Sequence, residues 1–328
     1  MILKEKYGVI IIGAGPAALE CASSLSNSGT TVLIIEKDAG SGNKVCGGGI
    51  TYLAESYDIP ENISRSFSST KVSVGTKKYV IDFKKPLKTI LRNEFGDYQR
   101  STISKFRNID ILPGTEVTEV KENSIVAGQN EYFFKYLVGA DGGDSVVRKY
   151  LNLKSDFCNG LTYTIKQKYD DVIWKVDSKR LKTGYMWVFP HKETISAGVY
   201  FNSRLVKPDV AKAVLNDFLT DLEIDYSTSE LKGGKINCGY RGMFFGNIFL
   251  AGDAAGLPLK TTGEGIAGAL ISGREIAKKI MDPEYKTTEM EQYLKLKRKR
   301  ELAFKVLETL PFLQNTAFRL YASLKRYK

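Results

Sequence analysis

Residues 7–36 read YGVIIIGAGPAALECASSLSNSGTTVLIIE, and few folds accommodate that order of textures. The apolar run at 9–12 predicts a strand covered on both faces. Gly13, Gly15 and Ala18 then form G-x-G-x-x-A, a helical pattern follows through Leu19 and Leu25, and Val32–Ile35 predicts a second buried strand leading to Glu36. Gly13 permits the tight turn, Gly15 lets a pyrophosphate approach the backbone, and small Ala18 allows the helix to lie close to the sheet. The first N–H groups of that helix and the positive end of its dipole favour phosphate. Glu36 stands about 20 residues beyond the turn, where a carboxylate accepts from a ribose 2′-hydroxyl. An adenine dinucleotide lacking a 2′-phosphate is expected, with NAD and FAD both open on this stretch alone. A glycine turn kept only for packing is the alternative, and the strand, turn, helix, strand and acid in sequence argue against it.

The 328 residues suffice for one large domain or two intertwined ones, and a hydrophobic share of 43% with 26% charged residues is that of a water-soluble globular chain. No apolar run is long enough to span a bilayer, since the N-terminal one is cut by Gly13, Gly15 and Pro16. No signal peptide is expected ahead of a fingerprint that begins at Tyr7, so a cytoplasmic location follows. Cys21, Cys46, Cys158 and Cys238 lack C-x-x-C spacing, so no metal site is expected, while a Cys158–Cys238 disulfide stays open. The net charge of +11 is concentrated: residues 294–328 hold ten Lys or Arg against two Glu, or +8. A basic segment with interleaved Leu, Phe and Tyr suits peripheral contact with an anionic membrane surface, and solvated helices closing the domain are the equal alternative. No recognition motif supports nucleic-acid binding.

Beyond Glu36, a glycine- and serine-rich loop surrounds Cys46. Residues 71–83 alternate like a half-covered strand, 87–106 look helical, and 109–112, 116–121 and 123–127 look like short strands. A strand at 132–138 enters a turn and a helix near Ser145. Residues 161–231 are rich in Thr, Tyr, Trp and Val and predict an antiparallel sheet with one helix near 208–222. The first texture then returns over 246–280. The expected class is α/β: a Rossmann-like FAD-binding domain from 1–70, 84–157 and 236–290, an inserted antiparallel β-sheet substrate domain from 71–83 and 158–235, and a basic helical segment at 291–328.

That FAD is the dinucleotide follows from three motifs taken together. GAGPAA, GADGGDSVVR at 139–148 and FLAGDAAG at 249–256 resemble the three fingerprints of FAD-dependent oxidoreductases built like aromatic hydroxylases. The resemblance implies that Asp253 bonds the ribityl chain, that Asp141 and Gly142 with Arg148 support the same cofactor, and that a helix beginning near Gly263 aims its N-terminus at the flavin pyrimidine edge. A turn or helix cap is the alternative role for both aspartates. Arg92 in LRNEF matches a flavin-proximal arginine, although Gly96 replaces the aspartate that follows it in the pattern.

KVCGGG at 44–49, GYMWVFP at 184–190 and TTGEGIAGAL at 261–270 are similar to the signatures of geranylgeranyl reductases, which saturate isoprenoid double bonds. That resemblance implies cofactor contacts from Gly13, Gly15, Ala17, Ala18, Glu36, Lys37, Lys44, Cys46, Gly47, Gly48, Arg92, Val117, Asp141, Gly142, Asp253, Gly263, Gly265 and Ile266. It implies substrate contacts from Gly49, Tyr185, Trp187, Phe189 and Pro190. Tyr185, Trp187 and Phe189 alternate along a strand and would line one side of an apolar tunnel, with ordinary aromatic core packing as the alternative. The family's following G-x-G keeps Gly198 but has Tyr200 at its second position, which would narrow or redirect the tunnel. The implied reaction joins a hydride from reduced flavin N5 and a proton across the alkene of a polyprenyl lipid or quinone, with NAD(P)H or ferredoxin as reductant. Cys46 is the candidate catalytic residue, as proton donor or as a shaping residue beside the glycines. His191, the only histidine, reads as a surface or loop residue, which leaves no histidine triad or metal site. A flavin monooxygenase or halogenase on the same fold, or a flavin electron carrier to a quinone pool, is the alternative.

Overall fold

The computed structural model describes residues 4–40, 42, 44–310 and 315–320. Residues 311–314 and 321–328 of the basic segment lie outside them. The strand Lys4–Ile12 is central to an eight-stranded sheet, pairing in parallel with Val32–Ile35 on one side and Asn130–Gly139 on the other. Ile109–Leu112 and Ile248–Leu250 extend the parallel core outward, while Phe244–Phe245 and the hairpin Val117–Val120 with Ser124–Ala127 join antiparallel. Val9, Ile10 and Ile11 have no exposed surface, as a doubly covered parallel strand requires. Helix Pro16–Leu25 crosses helix Ile266–Met281 so closely that a β-carbon on Gly273 would enter the Ala17 carbonyl.

A second eight-stranded sheet runs Leu231–Asn237, Phe157–Ile165, Ile195–Phe201, Tyr185–Pro190, Ile173–Val176, Ser64–Val74, Lys77–Ile90 and Gly49–Ile50. It is antiparallel except where Ile173–Val176 runs parallel to Ser64–Val74. One face is covered by helix Pro208–Asp221, whose Val214, Leu215 and Phe218 share a core with Met186, Val188 and Ala197. The alternate residues Trp187 and Phe189 point to the opposite face, toward the first sheet's turns.

The sheet is wider than the division at 71 and 83 allows. Residues 87–90, expected to be helical, complete the long strand Lys77–Ile90, and the helix starts only at Arg92. Pairing explains this: Thr89 lies opposite both Gly49 and Arg65, so residues whose apolar spacing suits a helix gain two ladder partners as a strand.

Two buried cations join the pieces. Arg148, 1% exposed, donates to the carbonyls of Ala254 (2.9 Å), Gly239 (2.6 Å) and Lys154 (2.5 Å), tying the central motif to the segment after Asp253. Lys297, 2% exposed on the last helix Thr288–Thr309, donates to Pro258 O at 2.6 Å and Cys238 O at 3.1 Å and pairs with Glu301 at 2.5 Å. All four cysteines are free thiols, Cys158 and Cys238 included. Among the described residues no helix is long and apolar enough to cross a membrane, and no cluster of acidic, Cys and His side chains could hold a metal ion.

Arg148→Met removes the donor to three carbonyls, the one of Ala254 buried, and should cost about 3 kcal/mol of unfolding free energy, measured by denaturant titration. Arg148→Lys should recover only part, because an ammonium lacks the fork that reaches all three.

Candidate active site

The glycine turn opens the site. Gly13 has φ +95°, and a β-carbon there would lie 2.5 Å from Ala140 O, so the turn presses directly on the central motif. Glu36, at the end of the next strand, accepts from Ala14 N at 2.6 Å and Asp38 N at 2.9 Å, which draws its carboxylate into the turn. Each oxygen keeps a second lone pair for a ribose hydroxyl. Ala17 and Ala18 are buried in the helix, and Lys37 is exposed. Val117 is buried in the hairpin that begins next to Glu36, where Thr115 N donates to Glu36 O at 2.9 Å. Asp141 Oδ2 accepts from Val146 N at 2.7 Å, the cap role, while its buried Oδ1 has no partner. Burial raises the pKa of that carboxyl, against the pull of its hydrogen bonds to Ser145 and the backbone.

From there the site becomes a cavity between the first sheet's turns and the aromatic face of the second sheet. Its lower lip is the loop 44–49. Lys44 pairs with Asp253 at 2.6 Å, and Gly48 N donates to Cys46 Sγ at 3.3 Å. Gly48 has φ +76°, and a β-carbon there would collide with the Ile90 carbonyl. Arg92 faces the same space, with its Nη2 3.7 Å from where a Gly15 β-carbon would be. Its buried Nη1 has no partner, and burial lowers its pKa against the opposite pull of Cys46 and Asp253.

The upper wall is aromatic. Ring centroids of Tyr185 and Trp187 lie 6.0 Å apart, as do those of Trp187 and Phe189, and Trp174 stands 5.0 Å from both Tyr185 and Phe189. The glycine loop fits against these rings: a β-carbon on Gly47 would lie 3.0 Å from Trp187 Nε1, and one on Gly49 2.7 Å from Phe189 Cε2. At the far rim, Gly263, Gly265 and Ile266 begin the helix Ile266–Met281, and a Gly265 β-carbon would lie 3.2 Å from Asp253 Oδ1. Asp253, Lys44, Cys46, Arg92 and the aromatic strand are thus brought together. Gly142, at φ +84°, lies in a turn and Pro190 ends the aromatic strand, and neither lines the cavity.

Trp174, Glu264 and Thr51 are among the lining residues that escape the sequence reading. Trp174 sits on a four-residue strand too short to show alternation. Glu264 and Thr51 meet across the cavity, with Thr51 Oγ1 donating to Glu264 Oε1 at 2.5 Å. Burial raises the pKa of Glu264, against the hydrogen bond from Thr51. Glu264 stands inside the TTGEGIAGAL signature, which was the available signal.

His191 stands in the loop that follows the strand Tyr185–Pro190, as one of its two readings has it, but it is 3% exposed and not a surface residue, because it tucks behind Gly48, whose β-carbon would lie 2.9 Å from His191 Cε1.

The residues fit FAD. The unpartnered Arg92 Nη1 and Asp141 Oδ1 offer a donor and an acceptor beside a turn stripped of β-carbons, and the apolar cavity continues from it. Fold and site together define an FAD-dependent oxidoreductase. Residues 7–169 match the pyridine nucleotide-disulphide oxidoreductase family. An uncharacterised protein of Methanosarcina barkeri is 32% identical over 296 residues, covering 85% of this chain and 76% of that one. Digeranylgeranylglycerophospholipid reductase 3 of Methanosphaera stadtmanae is 27% identical, covering 89% and 82%. The crystal structure of a geranylgeranyl bacteriochlorophyll reductase-like protein of Thermoplasma acidophilum superposes with a TM-score of 0.83 at 21% identity, covering 99% and 93%. The chain belongs to the geranylgeranyl reductase family, and its cofactor is FAD.

Burial lowers the pKa of His191 from 6.5 to about 4, with Arg65 adding to the effect. The unfolded chain takes up a proton near pH 6.5 that the folded chain refuses until about pH 4, so this contribution is complete above 6.5 and lost as the pH falls through that window. Between pH 6.5 and about pH 5, the native protein should lose about 2 kcal/mol more stability than His191→Gln, measured by denaturant titration at each pH.

Proposed function

We propose that this protein saturates carbon–carbon double bonds of geranylgeranyl or other polyprenyl groups carried on lipids or quinones. The observation that supports this reading above all is the meeting of the Tyr185, Trp187 and Phe189 wall with the glycine lip 47–49 across one apolar cavity. An isoprenoid alkene has no charge or hydrogen-bonding group to grip, so it is held by apolar contact with ring faces and edges. Because Gly47 and Gly49 carry no β-carbon, little stands between those rings and the lip that also presents Lys44 and Cys46.

Gly13 and Gly15 would receive the pyrophosphate, Glu36 the adenosine ribose, and Asp253 with Lys44 the ribityl segment, while Arg92 faces the ring system. When bound and reduced, FAD supplies a hydride for the alkene. The chain's task is to orient the double bond, exclude water and deliver one proton to one alkene carbon while the other, electron-poor carbon receives the hydride, giving net addition of H2. Cys46 lines the cavity and accepts a hydrogen bond from Gly48 N, which orients its sulfur and leaves the S–H free to donate. NAD(P)H or ferredoxin would restore the reduced cofactor.

The last helix offers a way to reach lipid. Lys295, Lys299, Leu302 and Val306 recur at helical spacing on its outward side, and Leu302 is 70% exposed. Basic and apolar side chains on one outward face suit the surface of an anionic membrane.

Holding the dithionite-reduced protein under anaerobic conditions with geranylgeranyl lipids should add hydrogen to the lipid, read by mass spectrometry. No mass gain on any polyprenyl lipid or quinone would overturn the proposed reaction. Cys46→Ala should keep FAD and slow single-turnover reduction by about a hundredfold; an unchanged rate removes the proton-donor role. Lys299→Glu with Leu302→Asp should reduce cosedimentation with phosphatidylglycerol vesicles several-fold, and equal sedimentation would count against membrane contact.

A further inference from the structure

The strand Ile195–Phe201 carries Gly198 and Tyr200 on its cavity face, and the two do opposite things. A β-carbon on Gly198 would run into the Trp187 indole and lie 2.5 Å from Leu161 O, so glycine here lets the indole lie flat on the strand. Two residues on, the same face presents a full phenol. Tyr200 is 3% exposed and stands opposite Tyr185 in the ladder, with ring centroids 5.5 Å apart. On its other side the ladder positions are Gly160 and then Gly234, which contribute no side chain. The Tyr200 ring therefore supplies the bulk that narrows the cavity between Tyr185 and Gly160, both of which line it.

The ring is held firmly in place. Tyr200 donates to Lys260 O at 2.7 Å, and Tyr185 donates to Thr262 O at 2.5 Å. Between these anchors lies Gly263 at φ +66°, where a β-carbon would come within 2.8 Å of Tyr200 Cδ2 and Cε2. Both hydroxyls are committed to backbone carbonyls of the loop that leads into the flavin-side helix. Burial, with Cys238 and Cys158 adjacent, raises the phenol pKa well above its ordinary value. These features make Tyr200 a wall and not a proton source. Behind it lie the buried thiols Cys158 and Cys238, within the same apolar cluster.

We infer that Tyr200 is a specificity-determining residue that narrows the cavity beside Gly263, so that this protein binds shorter isoprenoid chains more tightly than the full length of a geranylgeranyl group. The inference rests on the prenyl-reductase reading but concerns chain length alone. A phenol ring fills space comparable to an isoprene unit, so its removal should open the cavity toward Cys158.

The test uses the FAD-loaded protein and prenyl phosphates of two, three and four isoprene units. Affinity is read from quenching of Trp174 and Trp187 fluorescence, and reduction from single turnovers. The wild type should lose about tenfold in affinity from two units to four, the size of effect that a misfitting apolar segment produces. Tyr200→Gly should abolish that drop, and Tyr200→Phe, which keeps the ring and loses the bond to Lys260, should retain it. Thiol titration should find Cys46 reactive in the wild type and Cys158 reactive as well in Tyr200→Gly. Equal wild-type affinity for all three lengths, or an unchanged ratio in Tyr200→Gly, overturns the inference. If Tyr200→Gly fails to fold, Tyr200→Leu decides by the same ratio. If neither the prenyl phosphates nor the polyprenyl lipids and quinones are reduced, the reaction proposed above fails, while the fluorescence ratios still decide whether Tyr200 sets length.

Discussion

Backbone meets backbone where Gly13 turns against Ala140 and Asp141, and most of the molecule is arranged to permit that contact. A β-carbon at Gly13 would lie 2.5 Å from the Ala140 carbonyl oxygen, so no other residue allows the first strand and the strand Asn130–Gly139 to end side by side. The same economy of side-chain volume recurs nearby. Gly252 lies against Ala17, and Gly265 lies against Asp253. Three sequence-distant turns thereby converge at the carboxyl ends of a parallel sheet, the place where open α/β sheets bind their ligands. The convergence leaves polar groups unpaired at Arg92 and Asp141, where FAD would supply the missing partners.

The second sheet is two-faced. Met186 and Val188 pack under helix Pro208–Asp221, while Tyr185, Trp187 and Phe189 turn to the cavity. Strand alternation alone separates these roles. The sheet's long strand Lys77–Ile90 and the short Gly49–Ile50 bring the glycine lip under the rings, so one sheet carries both sides of the opening. Arg148 and Lys297, each buried and each donating to backbone carbonyls, hold the later segments against this arrangement.

Some of the architecture was open to direct reading. The fingerprint turn, the two buried strands and the helix between them stand where their residues predict, because strand and helix periods are local properties. The alternation of Tyr185, Trp187 and Phe189 likewise appears as one wall. The end of the strand to Ile90 has the spacing of a helix, because the partners of Thr89, Gly49 and Arg65, lie 40 and 24 residues back and leave no mark on local spacing. The burial of His191 was missed for a similar reason, since Gly48 covers it from another segment.

By itself, the sequence determined the dinucleotide turn, the FAD signatures and the aromatic strand, each carried by residues close together in the chain. Only the tertiary structure decided that Thr51 meets Glu264, that Lys44 meets Asp253, and that Tyr200 lies on Gly263. Those pairs are separated by long stretches of chain, and whether they touch depends on how two sheets pack, which no local pattern encodes.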